Sequence, residues 1–103
     1  MMAYHKLVRD HIPEIIRANG QIPQIRILDD QEYRIQLEKK LDEEVLEFHQ
    51  EWKTEELADI LEVVYALAEL QGFSREELDK IYEAKHQQRG GFSNRVFLIS
   101  KDG

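Results

Sequence analysis

The chain has no cysteine, so neither a disulfide framework nor a thiolate metal site is open to it, and a cytoplasmic setting is expected. No apolar run approaches the roughly 18–20 residues of a membrane span, and Met1-Met2-Ala3-Tyr4-His5-Lys6 lacks the apolar stretch of a signal peptide, so no membrane partner is expected. Basic residues are also few, 14 against 21 acidic ones for a net charge of −7. Duplex nucleic acid, which calls for a phosphate-neutralising surface, is therefore not an expected partner. Both prolines fall before residue 24, and no repeat, low-complexity tract or Gly/Ser linker divides the chain. Since domains run to about 100–150 residues, a single domain over residues 1–103 is expected.

What remains is helical punctuation. Asp10 through Ala18 reads as a short helix with Pro13 in its first turn and Asn19-Gly20 as its stop. Ile25-Arg26-Ile27-Leu28 then looks extended. Asp29-x-x-Glu32 resembles a capping box opening a long helix to about Glu51, in which Tyr33, Leu37, Leu41, Val45 and Phe48 recur at helical spacing. Thr54, followed by Glu55 and Glu56, starts a third helix that stops at Gly72. Ser74-x-x-Glu77 caps a fourth, reaching about Gln88, and after Gly90-Gly91 the run Val96-Phe97-Leu98-Ile99 forms a short strand or a packed tail. The expected fold is all-α: an antiparallel bundle of about four helices with an extended N-terminal segment. With 42% hydrophobic residues a core is affordable, but a flat helical layer of this size leaves apolar surface for a partner chain, and a homodimer or homotetramer is expected.

The third helix is apolar around nearly its whole circumference, from Leu57 to Leu70, and so should be buried on most sides. Glu56, Asp59, Glu62 and Glu69 interrupt it, and a buried carboxylate is expensive unless paired, hydrogen-bonded or bound to a metal. Helix two carries Glu44 and Glu47 three apart; helix three carries Glu56 and Asp59 at the same spacing. A hairpin turning about Glu51 and Trp52 sets Glu44 level with Asp59 and Glu47 level with Glu56. With levels roughly 4.5 Å apart and packed axes about 8–10 Å apart, four carboxylates can converge. An oxygen-only donor set of this kind suits Mg2+ or Mn2+. The competing reading is a solvated charge stripe paired with Arg34, Lys39 and Lys40. Glu62, one turn beyond Asp59, is a fifth candidate ligand or an outer support, and Glu43 is placed to orient or deprotonate a water.

The string Glu43-Glu44-x-x-Glu47 followed by Glu56-x-x-Asp59 resembles the EExxE…ExxD signature of the all-alpha NTP pyrophosphatase (MazG-like) superfamily. The likeness extends to Tyr4-x-Lys6-Leu7-Val8-Arg9-Asp10-x-Ile12-Pro13 and to Lys85-x-x-x-Arg89-Gly90-Gly91-Phe92, both similar to the small phosphoribosyl-ATP pyrophosphohydrolase-like branch. Only eight residues, Phe48 to Glu55, separate the two halves of the signature, fewer than the superfamily pattern usually has. The resemblance implies that Glu44, Glu47, Glu56 and Asp59 bind Mg2+ and that a nucleoside triphosphate is cut between its α and β phosphates to release pyrophosphate. Glu43 and Glu44 are the expected catalytic carboxylates. The function this suggests is house-cleaning of non-standard nucleotides; the alternatives are a phosphoribosyl-ATP pyrophosphohydrolase of histidine biosynthesis and a non-catalytic helical dimerisation module.

Lys85 and Arg89 are read either as phosphate ligands beside a permissive Gly90-Gly91 or as cations favoured by a helix C-terminus. Lys6 and Arg9 either reach phosphate from a neighbouring subunit or pair with Asp10. His5, His11, His49 and His86 show no metal-ligand spacing. Trp52 either stacks on a base or caps the core.

Overall fold

The computed structural model describes residues 4–103; Met1-Met2-Ala3, part of the stretch read for a signal peptide, lie outside them. Four helices follow one another: α1 (Ile12–Ala18), α2 (Asp30–Glu51), α3 (Thr54–Leu70) and α4 (Arg75–Arg89). No strand occurs among the described residues, so Val96 to Ile99 form an exposed tail.

The local signals explain most of these boundaries. Asp29 caps α2 by accepting the Glu32 backbone N–H at 2.9 Å. The Glu32 carboxylate does not return the bond but takes Arg26 at 2.7 Å, which ties the extended segment to the helix start. At α4 the box is complete: Ser74 and Glu77 each accept the other's backbone N–H at 3.1 Å. α3 starts at Thr54 as expected, with Lys53 in the cap position making no side-chain bond.

The α2/α3 hairpin is the centre of the molecule, and α4 leans on α3. Its turn passes through Trp52 in the left-handed region at φ 56°. The indole is 76% exposed and lies against Phe48, ring centroids 4.8 Å apart, so it covers the end of α2 without entering the core. Tyr65 anchors α4: its hydroxyl donates to Asp79 at 3.1 Å while Arg75 lies over its ring at 4.5 Å.

The hydrophobic core is thin: Leu37, Val63 and Ala68 are its buried members. The expectation that α3 is buried on most sides needs correction within this one chain, since Leu57 and Leu61 are 47% and 46% exposed. A layer of two helices covers only one side of each, and α4 shields only part of the remainder. The radius of gyration, 18.2 Å, exceeds the roughly 13 Å of a compact domain of this length, in keeping with an extended shape 62 Å long.

Candidate metal centre

Where α2 and α3 face each other near the turn, three carboxylates meet. Glu44 from α2 and Glu56 and Asp59 from α3 offer oxygens that all lie within 4.8 Å of one another. The helix interface that gathers them also dries them: Glu44 is 7% exposed and Glu56 9%. Lys40, one turn before Glu44, brings its Nζ to 3.4 Å from Glu44 Oε1 and 3.5 Å from Glu43 Oε2. Glu44 Oε2 is buried with no hydrogen-bond partner. A carboxylate oxygen in that condition is costly unless something answers it.

The electrostatics carry the same signature. Burial first, then the Glu47 charge, raises the Glu44 pKa above the ordinary carboxylate value, with Lys40 opposing. A hydrogen bond shared with the Glu51 carboxyl, then burial, then the charges of Glu51, Glu47 and Asp59 push Glu56 up to about 7. Clustered acids raise one another because each added negative charge disfavours the next.

The N-terminal segment closes one side. Leu7, Val8, Arg9 and Asp10 face Tyr33, Leu37, Lys40 and Glu44 of α2 and Asp59, Glu62 and Val63 of α3 across a cleft of about 230 Å3. Arg9 Nη2 donates to Asp59 Oδ1 at 2.7 Å, a contact between residues 50 positions apart. Tyr33 has its phenol pKa raised by burial and then by the charges of Asp10, Glu69 and Glu62, acids that also line the cleft.

Of the four expected ligands, Glu44, Glu56 and Asp59 come together, and Glu47 lies outside that trio, half-buried and near enough for its charge to act on Glu44 and Glu56. Glu62 lines the cleft; Glu43 does not, and is held beside it by Lys40. Within the chain Arg9 pairs with Asp59 and not with Asp10. The Lys6 ammonium sits 5.9 Å from the Tyr4 ring centre. Lys85 and Arg89 are exposed and away from the cleft lining; Arg89 instead borders a separate hollow formed with Gly90 to Val96. In the sequence Lys40 enters only through the competing reading, as a counter-ion of a solvated charge stripe. Its only signal was the four-residue spacing to Glu44, which a solvated pair shares.

The residues fit a hard divalent cation. The candidate donors are all carboxylate oxygens, the kind Mg2+ or Mn2+ accepts, and Glu44 carries an oxygen that is buried and unanswered. No protein-family model matches the chain, and no solved structure matches it. An uncharacterized protein of Mycolicibacterium smegmatis is 62% identical over 42 residues, 41% of this chain, and the match spans 43% of that relative's own length. Among the described residues, no helix is long and apolar enough to cross a membrane.

Proposed function

We propose that the chain is a Mg2+-dependent nucleoside triphosphate pyrophosphohydrolase of the MazG-like kind, releasing a nucleoside monophosphate and pyrophosphate in house-cleaning of non-standard nucleotides. The observation that carries this reading is the convergence of Glu44, Glu56 and Asp59 with Glu44 Oε2 buried and unpartnered. The Glu43-Glu44-x-x-Glu47 and Glu56-x-x-Asp59 signature supplies the reaction class.

In this reading Glu44, Glu56 and Asp59 hold the cation, and Glu47 adds negative charge from the edge of the group. Bound there, the ion supplies neutralisation of the triphosphate and activation of a water for in-line attack. Lys40 holds Glu44 through Oε1 and thereby orients Oε2. Glu44 is the catalytic carboxylate, while Glu43, tied to Lys40 outside the cleft lining, acts as a positioning residue. Leu7, Val8, Leu37 and Val63 form an apolar wall that limits water around the acids. Within one chain Lys85 and Arg89 do not line this cleft. The reading includes a homodimer or homotetramer, supported by the thin core, the exposed Leu57 and Leu61 and the extended shape.

The test is to incubate the purified protein with Mg2+ and a nucleotide panel and to measure pyrophosphate. Release from several triphosphates is expected. Release from phosphoribosyl-ATP alone replaces house-cleaning with the biosynthetic reading, and no release from any substrate leaves the helical module.

A further inference from the structure

Two protein cations stand over the acidic group, and they differ in how firmly they are held. The Lys40 side chain is 20% exposed and that of its partner Glu44 9%, so that pair is enclosed between the helices. The Arg9 side chain is 55% exposed and that of Asp59 41%, and Arg9 lies on the segment before α1, outside any helix. An exposed ion pair is weak, and a chain segment without helical hydrogen bonds moves easily. The two pairs take one oxygen each, Glu44 Oε1 and Asp59 Oδ1. Glu44 Oε2 remains buried without a partner and is the independent sign that a ligand belongs there.

Arg9 and Lys40 are also the cationic side chains lining the cleft, against Asp10, Glu44, Asp59, Glu62 and Glu69. An anion entering with a divalent ion meets these two. The guanidinium carries five N–H donors in a fork that matches phosphate oxygens.

We propose that Arg9 is the counter-ion a divalent cation displaces from Asp59, and that the released guanidinium then binds a phosphate or pyrophosphate group carried by that cation in the same cleft. This rests on the metal-site reading above and adds to it an exchange: one residue stands in for the ion in the unloaded chain and recognises the anion in the loaded one.

Calorimetry on the full chain separates the parts. Mn2+ is titrated alone; inorganic pyrophosphate is then titrated in saturating Mg2+. Arg9→Gln is expected to bind Mn2+ about two- to fivefold more tightly, the worth of an exposed ion pair expressed as a ratio. The same variant is expected to bind pyrophosphate about tenfold more weakly, the loss of a charge-assisted contact. Arg9→Lys retains the competing charge, so its Mn2+ affinity stays near wild type while pyrophosphate binding weakens through loss of the fork. Without metal, Arg9→Gln should melt slightly below wild type, by no more than the same exposed ion pair is worth, and Arg9→Lys close to wild type. An Arg9→Gln chain that binds Mn2+ no more tightly, or pyrophosphate as well as wild type, overturns the exchange and leaves the metal site standing. If wild type binds no Mn2+, the metal-site reading falls, and the exchange with it.

Discussion

Lys40 answers only one oxygen of Glu44: its Nζ stands 3.4 Å from Oε1, while Oε2 is buried without a partner. The two atoms belong to one carboxylate, so Lys40 neutralises the group without satisfying it. This half-answered state distinguishes Glu44 from the surface acids, such as Glu38, whose pair with Arg34 is largely exposed.

Glu44→Gln removes the buried charge but keeps an acceptor for Lys40. Without metal, the variant is expected to be at least as stable as wild type, by up to about 1–3 kcal/mol, the penalty of an unanswered buried group. Mn2+ at a hundred times its Kd should stabilise wild type by about 2.7 kcal/mol and the variant by almost nothing. Thermal melts with and without Mn2+ check both; a variant that gains as much as wild type removes Glu44 from the site.

Glu56 makes stability depend on pH in a fixed direction. Its folded pKa, about 7, lies above the ordinary value of 4.5. Between the two the folded chain holds a proton that the unfolded chain releases, so stability from this group is present at low pH and lost as pH rises through 7. Glu56→Gln should flatten this part of the profile in metal-free protein, measured as the difference from wild type in urea unfolding between pH 5 and 8. Metal binding requires the charged form, so Mn2+ uptake should release protons in calorimetry in buffers of differing ionisation heat.

Leu37 is 3% exposed at the centre of the hairpin. Leu37→Ala should cost about 2–5 kcal/mol, whereas Val96→Ala in the exposed tail should stay within about 0.5 kcal/mol. Urea unfolding followed by circular dichroism reads both, and equal effects at the two positions would contradict the packing described.

Leu57 and Leu61 lie one turn apart on α3 and are nearly half exposed. In solution the protein should have the mass of a dimer or tetramer by light scattering. The Leu57→Glu, Leu61→Glu pair should shift it toward monomer, because burying two added charges opposes association. A wild-type monomer at micromolar concentration would remove the second copy from the reading.

The helices were legible because their signals are local. Ser74 and Glu77, Asp29 and Asn19-Gly20 mark ends within one turn of themselves, and the repeat from Tyr33 to Phe48 states which side of α2 is apolar. The meeting of Glu44 with Asp59 was legible too, since a short turn ties two helices into register. The trio's membership was not. Residues three apart are turned about 60° around a helix axis, so level alone leaves open which of Glu44 and Glu47 faces both acids of α3.

The helical class, the ends of most helices and the collection of acids on facing turns are all properties of neighbours along the chain. Three features instead arise in the folded chain: Arg9 reaches Asp59 across 50 positions, Lys40 lines the cleft, and Lys85 and Arg89 lie outside its lining. Those depend on how an irregular N-terminal segment and a leaning α4 settle on the hairpin. Such long-range contacts come from packing and charge among distant residues, and no spacing along the chain encodes them.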